Sequence, residues 1–465
     1  MPACTGHGAK TTSEGKAAAD SRPKPGCKVN YDHRGLQLAS PLKTFPAFGR
    51  APAQVRRISA LADSPPLFQA QRWFAREKNW INEQHVQLCR IAAPTFFEQP
   101  RAEWFRTQWN ALGWNAKLDR AGNVLARFGA EVETGFSLVL SAHLDTVFAP
   151  SRPEDIYFGA DGRLFGPGTS DNGAGLAALL AIARVLGECS DLHSLAAEIL
   201  LVANVGEEGE GNLSGMRYLC RHLPELAQVK AFLVLDGPAV DHITAQALAS
   251  RRYEIGYTGP GGHSWNDSGV PNPVHAISAA ITNFVQNAEA ICAKGRARCS
   301  YNFGVVEGGA SINSIPASAR AKLDLRSEEP ALLDELSGLL TSAVESALER
   351  ENSGIRGNRL AAKIKELGSR PGGKLAEDSP LLQTIQAVDA WLNLRSRVDC
   401  ASTDANVPLS LGMPALSLGA GGQGGGAHTQ QEWYQPDGRE LGLRRILLAL
   451  AALDNQAGGS ESNGD

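Results

Sequence analysis

The stretch Leu138-Val-Leu-Ser-Ala-His143-Leu-Asp145-Thr146 decides the reading of this chain. Residues 138–142 are a short apolar run, the pattern of a strand covered on both faces in an α/β sheet. His143 and Asp145 follow at its carboxyl end, where open α/β sheets hold their ligands. Period-2 geometry puts the two on one face. An imidazole there can ligate a metal, and a neighbouring carboxylate can orient it. A lone His-x-Asp is common by chance; this one gains weight because later apolar runs end in the same way.

Ala196 to Val205 is a second apolar run, and it empties into Gly206-Glu207-Glu208-Gly209. Two adjacent carboxylates repel each other unless a cation sits between them. Adjacent residues also point in different directions, so one can ligate while its neighbour acts as general base. The bland alternative is a solvated acidic turn. Ala231-Phe-Leu-Val-Leu-Asp236 repeats the design, and the run from Met413 to Leu418 leads through Gly421-Gly-Gln-Gly-Gly-Gly-Ala to His428. A fifth cluster, Gly166-Pro-Gly-Thr-Ser-Asp171-Asn172-Gly-Ala-Gly175, feeds an apolar helix over Leu176–Leu186. A nucleotide loop is excluded there, because Gly-x-Gly-x-x-Gly would need glycine at 171 and no Gly-Lys-Ser/Thr follows. Asp171 as a simple helix N-cap is the bland reading. The candidate ligands are therefore His143, Asp171, Glu208, Asp236 and His428. Two histidines with three carboxylates suit two zinc-like ions.

The chain has 465 residues, with 45 basic against 49 acidic side chains. A net charge of -4 gives no electrostatic case for nucleic acid as a partner. No charge-free apolar run reaches 18 residues, so no membrane span is expected, and the N-terminus lacks a signal-peptide h-region. Eight scattered cysteines without Cys-x-x-Cys read as reduced thiols. The expectation is a soluble, cytoplasmic protein.

Residues 1–66 are rich in Gly, Ala, Ser, Pro and Lys without a sustained period, and read as a disordered tail. Helical spacing runs from Phe68 to Ile91 and from Gln99 to Leu112, followed by a hairpin into the 138–142 strand. The pattern changes over 250–372, where the element order βαββαβ describes an inserted antiparallel sheet with two helices. The flanks, 67–249 and 373–456, form the catalytic domain. Three polar residues stand out in the insertion: His263 in Gly261-Gly-His-Ser, Asn313 in Ser311-Ile-Asn-Ser-Ile-Pro316, and Arg326. Their bland readings are a structural histidine in a glycine-rich turn and a surface ion pair of Arg326 with Glu328.

Taken together, Ser-Ala-His143-Leu-Asp145-Thr, Gly168-Thr-Ser-Asp171-Asn172-Gly, Glu207-Glu208-Gly, Leu-Asp236-Gly, Gly-Gly-His263-Ser, Asn313-Ser-Ile-Pro and Gly-Ala-His428-Thr resemble the M20 metallopeptidases. That group contains aminotripeptidase, dipeptidases, bacterial glutamate carboxypeptidases and aminoacylases, and the resemblance covers about residues 75–455. It implies an α/β fold: a zinc-exopeptidase-like three-layer α/β/α catalytic domain with an inserted ferredoxin-like α+β lid and dimerisation domain. It also implies that Asp171 bridges two divalent ions, zinc foremost with cobalt or manganese also suitable. His143 and Asp236 would complete one ion, and Glu208 with His428 the other. Asp145 would orient His143, and Glu207 would be the general base. His263 would reach the oxyanion, often in a partner subunit, while Asn313 and Arg326 would bind a substrate carboxylate. The implied activity is cleavage of a di- or tripeptide, with an N-acyl-amino-acid amidohydrolase or glutamate-type carboxypeptidase as the alternative, and a homodimer as the assembly. Asp236 in place of Glu leans toward di- and tripeptidases. Asn172 departs from the family's usual second Asp, keeping its shape without its charge. Ala401-Ser-Thr-Asp404-Ala-Asn406 also looks family-like and is expected near the substrate pocket. The rival from another class, a metal-free descendant that only binds peptides, would have lost Glu207 or His428.

Overall fold

A computed structural model describes residues 53–455, except 130–135, 224, 226–227, 295–296 and 356. The apolar runs become neighbouring strands. Leu138–His143, buried along its whole length, lies between Ile199–Asn204 and Ala231–Leu235 and runs parallel to both. Ala415–Leu418 adds a fourth parallel strand beside Ala231–Leu235. The hairpin Trp114–Leu118 and Val124–Phe128 extends the sheet on one side, antiparallel to Ile199–Asn204. On the other side His242–Ala247 pairs with Gly373–Lys374 and Arg397–Ala401, giving nine strands in all. Because the four central strands are parallel, their carboxyl ends share one edge of the sheet. His143, the loop after Asn204, Asp236 and the loop after Leu418 all emerge there.

The helix Gly173–Glu188 buries 13 of its 16 residues, as a helix apolar all round must. A Cβ on Gly175 would collide with the Asn172 side chain and crowd the Leu235 carbonyl. The glycines of this loop thus serve close packing of the helix start against the sheet edge.

The helical stretch expected from Phe68 to Ile91 is two helices, Pro65–Arg76 and Lys78–Arg90, which part at Glu77. The break brings Trp73 and Trp80 edge to face at 5.9 Å, with the Arg184 guanidinium over both rings. The expected tail also needs correcting at its end. Residues 1–52 lie outside the described residues, but Ala53–Ala62 is a helix whose Ile58 and Ala62 are buried against Ala387, Val388, Leu448 and Ala452. Its apolar stripe is narrow because it docks on a surface already formed by other helices.

The insertion has its own sheet and core. Ala249–Thr258, Cys299–Gly308, Ser318–Ser327 and Ala361–Arg370 pair antiparallel, with the first and third strands in the middle. Helices Pro273–Lys294 and Pro330–Asn352 contribute Phe284, Leu336 and Leu340 to a core with Ile255, Tyr257 and Leu323. This is a ferredoxin-like α+β unit set into a three-layer α/β/α domain.

Candidate active site

The carboxyl edge of the parallel sheet gathers the five candidate ligands. Asp171, on the loop ahead of Gly173–Glu188, stands in the middle. Its Oδ1 lies 3.1 Å from His143 Nε2 and its Oδ2 lies 3.1 Å from His428 Nε2. Asp236 Oδ1 is 4.0 Å from the same His143 nitrogen, and Glu208 Oε1 is 3.0 Å from the His428 nitrogen. Two donor triads result, His143–Asp171–Asp236 and Asp171–Glu208–His428, each with its atoms within 4.8 Å of one another. Ligands about 2.1 Å from a tetrahedral ion stand about 3.4 Å apart. The spacing and the mixture of imidazole and carboxylate donors therefore fit two divalent ions sharing Asp171. Glu207 faces the same cluster, grouped with His143 and Glu208.

Asp145 does more than orient its histidine. The His143 ring approaches both its carboxylate, at 3.4 Å, and its backbone carbonyl, at 3.0 Å. The same carboxylate accepts the backbone N–H groups of Glu207 and Glu208 at 3.0 and 2.9 Å, and the Thr95 hydroxyl at 3.0 Å. One buried side chain thereby fixes the acidic pair relative to His143.

Glu432 does the equivalent for the Asp171 loop. It is buried, and its carboxylate accepts the backbone N–H groups of Gly168, Ser170 and Asp171, each at 2.7 Å. The hairpin that presents Glu432 also presents His428, whose φ of +62° turns its ring back toward Asp171. Glu432→Ala would leave three N–H groups without an acceptor. Supporting groups of this kind typically matter about 10–100-fold in metal affinity, and a loss of that size is expected in a competition titration against a chelating dye. An unchanged affinity would contradict this role.

Asn172, not Asp171, caps the helix: its Oδ1 accepts the Gly175 N–H at 3.1 Å and the Gly237 N–H at 3.2 Å. Its Nδ2 donates to the Leu235 carbonyl at 2.8 Å. That donor explains the departure from Asp, since a carboxylate would face the carbonyl oxygen with no hydrogen. Asn172→Asp is expected to destabilise the fold by about 1–3 kcal/mol. Denaturant unfolding with an unshifted midpoint would refute this.

The electrostatics are those of a pocket that demands positive charge. Burial opposes protonation of His143, yet Asp145 and Asp171 raise it well above the usual imidazole range. Asp171 and Glu208 raise His428 to about 10. Burial resists ionisation of Asp171, but bonds from the two histidines hold it well below the carboxylate range. Burial, with Asp171 next, pushes Asp236 up to about 7. Burial likewise raises Glu207, against the pull of Arg370.

Three expected residues stand apart from this cluster. His263 and Asn313 share a small ribbon of the insertion, where Gly262–His263 pairs with Ser314–Ile315 and the Ser264 N–H donates to the Asn313 carbonyl. His263 is exposed, and its Nδ1 accepts the Trp265 N–H at 3.2 Å. Arg326 lies on Ser318–Ser327 and pairs with Asp324 at 2.8 Å, not with Glu328. Among the described residues none of the three bonds to a member of the cluster. Conversely, Glu432 and Arg370, which reaches Glu207 Oε1 at 2.8 Å, were not singled out by sequence. An isolated Glu before a tryptophan and an Arg at a strand end carry no signal; only the fold brings them in.

Donor triads at the carboxyl edge of a parallel sheet, with the Glu207 carboxylate beside them, describe a metal-dependent hydrolase. The profile of Peptidase family M20/M25/M40 matches residues 139–452, and the chain belongs to this family of hydrolytic enzymes. An acetylornithine deacetylase from Klebsiella pneumoniae is 25% identical over 350 residues, covering 72% of this chain and 83% of that protein. A tripeptidase from Staphylococcus aureus shares the fold with a TM-score of 0.65 at 20% identity, covering 81% of this chain and 98% of the other. Aminopeptidase PepT from Bacillus cereus does so with a TM-score of 0.63 at 19% identity, covering 80% and 98%.

Proposed function

We propose that the chain is a two-metal exopeptidase that cleaves the peptide bond of di- or tripeptides. The observation that carries this is the placement of Asp171, with one oxygen toward His143 and the other toward His428. His143, Asp171 and Asp236 would hold one ion, and Asp171, Glu208 and His428 the other, zinc being best suited to this donor set. Such ions, when bound, polarise the scissile carbonyl and acidify the attacking water. Glu207 takes the proton of that water and delivers it to the leaving nitrogen. Asp145 holds the His143 ring and the backbone of Glu207 in register, so the base need not reorganise during the step.

His263, Asn313 and Arg326 are assigned the oxyanion and the substrate carboxylate. His263 and Asn313 sit on one paired ribbon and so move together. Their bonds are local to the insertion, so completing the site with them would take closure of the inserted domain or a second subunit in a homodimer. A cytoplasmic location fits the six cysteines that are free among the described residues. Among the described residues no single helix is long and apolar enough to cross a membrane. A second reading, hydrolysis of an N-acyl amino acid, is favoured by the deacetylase relative.

The test is hydrolysis of a panel of dipeptides, tripeptides and N-acetyl amino acids by chelator-stripped protein given zinc, cobalt or manganese. Peptide turnover that requires the metal supports the exopeptidase. Turnover confined to N-acetyl amino acids would select the second reading, and two bound ions with no turnover on any member would reject both.

A further inference from the structure

The inserted domain is joined to the catalytic domain by two crossings. The first is Leu248, between the strands His242–Ala247 and Ala249–Thr258. The second follows Arg370, the last residue of Ala361–Arg370, where Pro371 and Gly372 lead into Gly373–Lys374 of the large sheet. Asn406, fully buried, clasps both: its Nδ2 donates to the Leu248 and Pro371 carbonyls, each at 2.9 Å. Its Oδ1 accepts the Thr403 N–H at 3.0 Å, which holds the amide in this sense.

The guanidinium at the second crossing points into the active site. Arg370 Nη1 donates to Glu207 Oε1 at 2.8 Å and to Ser402 Oγ at 3.0 Å, while Nη2 donates to the Glu207 carbonyl. Glu207 is buried and Arg370 nearly so, at 6% and 10% side-chain exposure, so this is no solvent-screened surface pair. The 402–406 segment is tied a second time to the loop that carries Glu207, because Asn204 Nδ2 donates to Asp404 Oδ2 at 2.6 Å. Arg252, on the first strand of the insertion, donates to the Gly209 carbonyl at 2.9 Å. The Glu207–Gly209 loop is thus gripped from both crossing strands.

We propose that Arg370 is a positioning residue for the reaction, fixing the Glu207 carboxylate from the domain crossing so that the base is aligned only when the inserted domain is seated. The inference rests on the reading of Glu207 as general base. A fork that holds a side-chain oxygen and the carbonyl of one residue defines direction as well as distance. A lysine cannot reproduce it. Asn406 acts one step further out, by holding the backbone from which Arg370 projects.

The experiment compares wild type, R370A, R370K, N406A and E207Q on the panel member that wild type turns over best. Misplacing a catalytic group by about 1 Å can cost about 10²-fold. A fall of that order in kcat is expected for R370A, with KM within about twofold and two ions still bound. Added guanidinium ion should restore part of the R370A rate, R370K should remain impaired, and N406A should show the same kcat-weighted loss. In the chelated proteins, hydrogen exchange at the Gly206–Gly209 amides should rise in both R370A and R370K, which gives a readout independent of turnover. A raised KM with unchanged kcat would make Arg370 a substrate binder and overturn the proposal. So would wild-type kcat in R370K, or failure of guanidinium to rescue a folded R370A that binds two ions. If E207Q were as active as wild type, the general-base reading of Glu207 would fall, and if wild type turned over nothing, the exopeptidase reading would fall; either result takes the positioning role with it.

Discussion

Glu207→Gln is expected to lower kcat by about 10²–10⁴-fold, the usual contribution of a positioned general base, while leaving two ions bound per chain. The amide is nearly isosteric and can still accept from Arg370 through its oxygen. What it cannot do is take a proton from water. Glu207 is grouped with His143 and Glu208, but the triads His143–Asp171–Asp236 and Asp171–Glu208–His428 are complete without it. Its backbone N–H stays on Asp145, so the substitution should not loosen the loop. Metal content by mass spectrometry and steady-state kinetics on one sample separate the two effects. Loss of an ion in E207Q would recast Glu207 as a ligand, and unchanged kcat would remove it from the chemistry.

The candidate metal edge was legible in sequence because its candidate ligands follow apolar runs, His428 by way of a glycine-rich loop, or precede a buried helix. Parallel pairing of Leu138–His143 with Ile199–Asn204 and Ala231–Leu235 then does the assembling, and register leaves little freedom. Periodicity also found the insertion, since its strands alternate and its helices are long. The groups that hold the ligands were harder to see. Glu432 reaches Asp171 across more than 250 residues of chain, and Arg370 reaches Glu207 from another sheet. Neither has a local pattern, because its role lies in a contact that only tertiary structure creates. Asn406 belonged to a stretch recognisable as family-like, yet its double hydrogen bond to the two crossings is a property of the folded backbone. The helix Ala53–Ala62 was missed for a related reason: a helix that buries only Ile58 and Ala62 needs only a thin apolar stripe.

Chelation should destabilise the protein more at pH 8 than at pH 5.5, and the added stability from zinc should grow over the same range. Asp236 and Glu432 are pushed up to about 7, and Asp404 to about 6, in each case chiefly by burial. A folded pKa above the unfolded one means that the folded chain holds protons which the unfolded chain has released. Stability from these groups is therefore complete below about pH 4 and is lost as pH rises through about 6–7. His428, raised to about 10 by Asp171 and Glu208, acts in the same direction: its contribution is complete below about pH 6.5 and is lost as pH rises toward 10. Asp145 and Asp171 are shifted down and contribute above their unfolded values, so they stay ionised across the whole window and do not reverse the trend. Divalent ions would replace the protons at Asp236 and His428, the raised groups that belong to the donor triads, and the competition weakens as pH rises. At about 100 times the dissociation constant each site adds about 2.7 kcal/mol. Calorimetric Tm values for chelated and zinc-loaded protein should converge toward pH 5.5 and diverge toward pH 8. Parallel curves would mean that the carboxylates at the sheet edge do not hold the ions, whatever the ions do elsewhere on the chain.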